Sequence, residues 1–241
     1  MVGRSVIDVA FTPSDLRRAD VAVVIDVLRA TSTATQALAS GYRSVLCVPG
    51  IEDALALRAP GRVLGGERDC VMPAGFQIGN SPPEALRVRG EELVLATTNG
   101  TPTILAAAQH AQEVVVGCLL NLDAVIDRLT WADDVLLVCS GSDGAVALED
   151  VYVAGRICER LEGSRSDAAR IAEAVARAHP SALDALAASA HAGKLQAAGM
   201  FDDILFCARE GVLDVLPRVT RTSEHVAILQ AATDRAGMLS R

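Results

Sequence analysis

Through the first 140 residues, short apolar runs rich in β-branched side chains alternate with stretches of helical periodicity. Val21–Leu28, Ser44–Val48, Val63–Gly66, Leu93–Thr98, Val114–Cys118 and Val135–Cys139 are continuous apolar runs, the pattern of strands buried on both faces. Ser32–Ala39, Glu52–Arg58, Thr103–Gln109 and Leu122–Leu129 fall between them and read as amphipathic helices. This alternation predicts an α/β fold, a three-layer sheet with helices on both faces. Past Gly144 the chain becomes Ala-rich, and Ala145–Leu161, Asp167–Ala178 and Ala182–Ala192 predict a helix-rich C-terminal third with a break at Pro180. A last strand is expected over Val212–Val219, tolerating Pro217 only near a sheet edge. No Gly/Ser linker or short repeat interrupts the pattern, so residues 1–241 read as a single α/β domain, with room for two lobes.

Composition narrows the function. The 241 residues carry 30 acidic and 22 basic side chains, a net charge of −8, with no Lys/Arg run, which disfavours a binder of phosphate backbones. Aromatic content of 3% leaves little for stacking single-stranded bases. At 51% hydrophobic residues the chain is compact rather than disordered. The N-terminal apolar stretch contains Asp8 and is not a signal-peptide core, and no apolar run approaches membrane-spanning length. Six scattered cysteines form no CxxC pair and no Cys/His metal spacing, so a reduced cytoplasm is the expected location.

In open α/β sheets, ligands bind beyond the carboxyl ends of strands, against helix N-termini. Four such ends are polar here. Asp26, Arg29, Thr31 and Ser32 follow Val21–Ile25. Glu67, and later Asn80 and Ser81, follow Val63–Gly66 along the long loop Gly65–Pro83. Thr97, Thr98, Asn99 and Thr101 follow the next strand, and Ser140, Glu149 and Asp150 follow Val135–Cys139. Hydroxyls and helix-start N–H groups suit an oxyanion, which Arg29 can hold in a two-pronged fork. Asp26, Glu67, Glu149 and Asp150 can supply the hard oxygen ligands that Mg²⁺ requires.

Each residue also has a structural explanation. A hydroxyl at a helix start is most often an N-cap, which covers Thr31, Ser32, Thr101 and Ser140. Asp26 can be a buried structural carboxylate, given an ionic partner. His110, His179 and His191 suit helix ends hydrogen-bonded to backbone, and His225 is uninformative. Taken together, the four strand ends argue for a site. Known templates do not fit it: the acid of a D-x-D phosphatase is Leu28 here, and the Arg of a C-x₅-R phosphatase is Ala145. No GxGxxG, GxxxxGK[ST] or GxSxG sequence occurs.

Four ordered blocks resemble the 2-phosphosulfolactate phosphatase family: VVIDVLRATST (Val23–Thr33), LGGERD…GFQIGNSPPE (Leu64–Glu84), TTNGT (Thr97–Thr101) and CSG…GAVALEDVYVAG (Cys139–Gly155). A weaker block covers Ser189–Glu210. The resemblance implies Mg²⁺-dependent hydrolysis of 2-phosphosulfolactate to sulfolactate and phosphate, a step towards coenzyme M, in an α/β protein expected to be a homodimer. Asp26, Arg29, Glu67, Asn80, Ser81, Thr98, Asn99 and Asp150 match the family pattern. Two positions depart from it: Cys70 stands where Gly is usual and Gln77 where Asp is usual.

On this reading the catalytic residues are Asp26, Glu67 and Asp150, and the metal ligands Asp26, Glu67 and Glu149. Arg29, Asn80, Ser81, Thr98, Asn99, Thr101 and Ser140 hold the anionic substrate. Asp26 is either a metal ligand or a nucleophile towards phosphorus. Cys139 is expected to be dispensable. His191 is expected to be a supporting residue rather than the general acid, the alternative being that it reaches a substrate anion from the rim alongside Lys194, the only lysine. Other small phospho-acids, or a non-catalytic anion-binding role, are the alternatives.

Overall fold

The computed structural model describes residues 6–232. Ten strands form one sheet, flanked by helices on both faces and crowded by helices in the C-terminal third. On one side of the sheet run β1 (Val6–Ala10), β2 (Ala19–Ile25), β6 (Ala111–Gly117), β7 (Asp134–Cys139) and the short β8 (Ser164–Arg165), mutually parallel in the order β6-β2-β7-β1-β8. On the other side run β3 (Ser44–Val48), β4 (Arg62–Gly66) and β5 (Glu92–Ala96), parallel in the order β4-β5-β3. The hairpin of β9 (Pro217–Thr222) and β10 (Ala227–Ala231) joins the two sets, with antiparallel pairing at β3–β10, β10–β9 and β9–β6. Three reversals in a row leave the β3 set antiparallel to the β6 set. The sheet is therefore mixed.

The continuous apolar runs are explained by the period of two in a strand. In β2, Val21, Val23 and Ile25 face a core built with α5 (Leu122–Leu129), α6 (Leu148–Arg160) and α7 (Asp167–Ala178). Ala22 and Val24 face the opposite core, built with α1 (Ala30–Ala39), α3 (Pro82–Arg87) and α4 (Gly100–Ala107). That second core continues onto β3 and β5 through Val45, Cys47, Leu93 and Leu95. The other face of β3, β4 and β5 is covered by α2 (Ile51–Ala56) through Ala54 and Ile51.

Several sequence expectations need correction. The apolar stretch near the N-terminus is itself a strand, β1, because Ile7 and Val9 are buried while Asp8 is bonded by Arg17 at 2.8 Å. The expected helix Ala182–Ala192 is two helices, α8 (Ala182–Ala187) and α9 (Ala190–Ala197), because the Ser189 hydroxyl accepts from the Ala192 N–H and starts a new helix. The expected strand Val212–Val219 begins only at Pro217 and lies inside the sheet rather than near an edge. Pro217 is tolerated as the first residue of the strand, where its missing N–H breaks no ladder bond. The strand β10 and the helix α10 (Phe201–Cys207) are too short to stand out as patterns.

Candidate active site

The turn from β2 into α1 carries Asp26 and Arg29, both buried. The Asp26 carboxylate accepts from the Ala30 N–H at 3.2 Å, and its own N–H donates to the Thr31 hydroxyl at 3.2 Å. Ser32 donates to the Val27 carbonyl at 2.8 Å. Thr31 and Ser32 are thus used in shaping the turn. Helix α4 starts against the same spot: a side chain on Gly100 would lie 2.8 Å from both the Ala30 Cβ and an Asp26 carboxylate oxygen. Two helix N-termini therefore meet at Asp26, and their dipoles favour negative charge there. The TTNGT sequence needs its glycine for this approach.

Glu67 follows β4. Gly66 precedes it with φ +147°, and a Cβ there would come within 2.4 Å of the Ala96 carbonyl, so only glycine fits. The Glu67 carboxylate accepts from the Cys70 N–H at 2.9 Å. Arg68 and Val71 exchange backbone bonds around a tight turn in which Asp69 and Cys70 both have positive φ, 54° and 63°. Cys70 thus occupies a backbone position suited to glycine. Gln77, the other departure, accepts from the Leu64 N–H at 2.7 Å and seals the free edge of β4.

Asn80 and Ser81 lead into α3 and are buried, as are Thr97, Thr101 and Ser140. The Thr97 and Thr101 hydroxyls are 3.0 Å apart, and Thr97 also accepts from the Thr101 N–H at 3.1 Å. Thr101 is thereby committed to the start of α4. Thr98 is exposed and Asn99 half-buried at the mouth. The Ser140 hydroxyl is buried without a hydrogen-bond partner among the described residues. Asp150 accepts from the Val27 N–H at 2.9 Å and the Gly141 N–H at 3.2 Å, bracing the loops after β2 and β7.

A small cavity of about 20 Å³ is lined by Asp26, Leu28, Arg29, Glu67, Asn80, Thr97, Thr98, Asn99 and His191. It has room for a water-sized group. A cleft of about 250 Å³ lies beside it between α3 and the start of α10, sharing Arg29 and Asn80 and adding Ser81, Arg87, Met200 and Asp203. Ser140, Thr101, Glu149 and Asp150 stand behind these walls rather than in them.

The carboxylates dominate the electrostatics. Asp26 is pushed up to about 7, first by burial and then by the charges of Glu149 and Glu67, against the Ala30 N–H and Arg29. Burial also raises Glu149, whose side chain bonds Ser189, and raises Asp150 well above the usual range, with Asp26 and Glu149 adding to the effect. Among the described residues, no three His, Cys, Asp or Glu side chains converge closely enough to hold a metal ion. Asp26, Glu67 and Glu149 are therefore not arranged as the expected three-ligand shell. Glu149 is directed to the start of α9.

Two residues of the C-terminal helices complete the walls. His191, on the first turn of α9, has a buried Nδ1 with no hydrogen-bond partner among the described residues, and burial with the Arg29 and Lys194 charges lowers its pKa. The explanation by a helix-end bond to a backbone carbonyl does not hold for it. Lys194 instead donates to Asp143 at 3.0 Å at the surface. Asp203, which sequence reasoning missed, accepts from Arg29 and from the Ser81 hydroxyl, the latter at 2.8 Å. Its signal was positional: Asp203 shares a buried helix face with Ile204 and Cys207, while Asp202 is exposed.

Carboxylates, two helix starts and a buried guanidinium thus gather at one cleft of an α/β fold. The profile of the family described as 2-phosphosulpholactate phosphatase matches residues 9–222. A protein of Pseudothermotoga lettingae described as a probable 2-phosphosulfolactate phosphatase is 41% identical over 215 residues, 88% of this chain and 94% of its own. Similarly described proteins of Thermus thermophilus and Deinococcus radiodurans are 40% and 39% identical, over 79% and 82% of this chain and 84% and 87% of theirs. The chain belongs to the 2-phosphosulfolactate phosphatase family and is an enzyme of the phosphatase class.

Proposed function

We propose that this chain is a Mg²⁺-dependent phosphatase that hydrolyses 2-phosphosulfolactate to sulfolactate and phosphate, a step towards coenzyme M. The observation that carries this reading is the cavity lined by Asp26, Glu67, Arg29, Asn80 and Asn99, beside a cleft of about 250 Å³ with which it shares Arg29 and Asn80. Other features agree with the expected setting. All six cysteines are free and buried, in keeping with a reduced cytoplasm. The homodimer rests on the family resemblance alone.

The donor set fits a hard cation. Asp26 and Glu67 are oxygen donors beside each other's charge, and among the described residues Asp26 has no cationic hydrogen-bond partner of its own. Mg²⁺ is commonly held by one or two carboxylates, with waters and substrate oxygens filling the remaining positions, so a closed protein cage is not required. Asp26 and Glu67 would hold the ion, with Glu149 behind them. When bound, it polarises the phosphoryl group and neutralises developing charge.

The protein's own groups do the rest. Arg29 holds the phosphate or another anionic group of the substrate by its free fork edge. Asn80, Asn99 and the Thr98 hydroxyl orient the anionic groups at the mouth, with Ser81 alongside in the cleft. Thr101 and Ser140 support the two loops from behind, and Asp150 keeps the Asp26 turn in place. His191 closes the cavity from above.

Phosphate release from 2-phosphosulfolactate and a panel of small phospho-acids, with added Mg²⁺ and with excess EDTA, tests the reading. We expect turnover only with the divalent cation, and fastest on the substrate bearing a sulfonate. Full turnover in EDTA by metal-free protein sinks the metal assignment. Faster turnover of a phospho-acid lacking the sulfonate sinks the substrate assignment. No turnover of any member, with intact anion binding, leaves a binding module.

A further inference from the structure

We propose that Asp203 is the positioning residue for Arg29: from α10 it grips one edge of the guanidinium and sets the other edge towards the site. The inference rests on the phosphatase reading above but names a residue outside its expected machinery. Arg29 is 3% exposed and Asp203 6%, so their ion pair is buried. The contact is through Arg29 Nη1 alone, which also lies 3.0 Å from the Met200 sulfur. Asp203 and Met200 both belong to the start of α10, so one short element holds one prong of the fork.

Arg29 Nε and Nη2 have no protein partner among the described residues, and Arg29 lines both the small cavity and the neighbouring cleft. Those are the donors that make a paired contact with an oxyanion. A long side chain with one prong fixed loses less freedom when the other edge binds, which is the physical benefit of preorganisation. The second Asp203 oxygen accepts from the Ser81 hydroxyl. Ser81 begins α3, so the same carboxylate also ties Arg29 to the wall of the cleft.

A buried carboxylate would otherwise be costly unless paired, and here both oxygens are engaged. Asp203 therefore acts through Arg29 and Ser81 rather than on the substrate. The C-terminal helices are thus part of the anion site, although α10 lies more than 170 residues from Arg29 in the chain.

Orthophosphate binding by calorimetry on wild type, Asp203→Asn, Arg29→Lys and the double variant tests this, alongside KM and kcat on a turned-over phosphoester. Asp203→Asn keeps the shape and removes the charge, and Arg29→Lys keeps the charge and removes the fork. We expect Asp203→Asn to weaken orthophosphate binding about 10-fold and to raise KM in parallel, with kcat changed less. In the Arg29→Lys background the same substitution should cost at most about 2-fold. Equal losses in both backgrounds, or wild-type affinity in Asp203→Asn, overturn the proposal. So does a wild-type protein that binds no orthophosphate. If Asp203→Asn does not fold, Asp203→Glu keeps the charge and displaces the fork. It should weaken binding in the wild-type background only, and wild-type affinity overturns the proposal. A wild type that binds orthophosphate but turns over no phosphoester refutes the phosphatase reading while leaving this coupling measurable.

Discussion

Asp26 and Arg29 stand three residues apart on one buried turn, and the fold treats their charges in opposite ways. Arg29 has a dedicated counter-ion, Asp203, drawn from a distant helix. Asp26 has, among the described residues, a backbone N–H, the N-termini of α1 and α4 and the charge of Arg29 in its favour, but no ion pair, and it faces Glu149 and Glu67. The cationic half of the site is completed by the protein itself. In the carboxylate half, burial and mutual repulsion raise Asp26, Glu149 and Asp150, a strain that a bound cation would relieve. Glu92, outside the site, shows what the same fold does with a carboxylate used for structure. Arg62 donates to it at 2.8 Å, joined by Arg43 at 3.0 Å and the Ser44 hydroxyl at 2.9 Å, and these bonds push it down to about 2.

The sharpest way to break this comparison is Asp26→Asn. If the carboxylate half is catalytic, kcat should fall by on the order of 10³-fold while the protein becomes no less stable, because burial disfavours the charge that is removed. Steady-state kinetics and thermal unfolding together check it. A less stable but active variant would make Asp26 a structural carboxylate.

A smaller effect is expected at the boundary between the halves. His191→Ala should raise KM several-fold with little change in kcat, as loss of uniform anion binding does. A fall in kcat of ~10²-fold or more, with loss of the acid limb of its pH profile, would instead make His191 the general acid.

For Glu92, the folded-state pKa lies below the ordinary value of 4.5, so the carboxylate stabilises the fold above that value. That contribution is lost as pH falls from about 4.5 towards about 2. Glu92→Gln should therefore be less stable than wild type at neutral pH, with the gap closing across that window in denaturant titrations. A gap that is constant with pH would mean that the Arg62 contact contributes without its charge.

The smallest effect is expected at Cys139. Its side chain is fully buried, and burial, with the charge of Asp150 next, holds its thiol well above the usual range. Cys139→Ala should leave kcat within about 2-fold of wild type, because an inert thiol contributes only packing. Loss of activity by orders of magnitude in a folded variant would move the chemistry to sulfur.

The runs of β2, β3 and β7 were legible because they are continuous apolar stretches rich in β-branched residues, and α5 because it carries a helical period. Leu122–Leu129 has the bounds expected from its pattern, and Asp167–Ala178 likewise. Short elements such as β10 and α3 carry too few residues for a period to show. The strand ends were legible as polar clusters. Which of their residues face the cavity was not: Thr101 and Thr98 read alike in sequence, yet one is locked to Thr97 and the other open.

The order of hydrophobic and polar positions determined the α/β layers, the helix-rich C-terminal third and the oxygen-rich strand ends, because these follow from contacts within a few residues. The mixed direction of the sheet did not, since pairing of β3 with β10 and β9 with β6 joins segments far apart in the chain. The pairing of Arg29 with Asp203, and the lack of any such partner for Asp26, were likewise decided only when α10 closed over the β2–α1 turn. Charge balance in a buried site depends on which groups leave water together, and that is a property of the assembled fold.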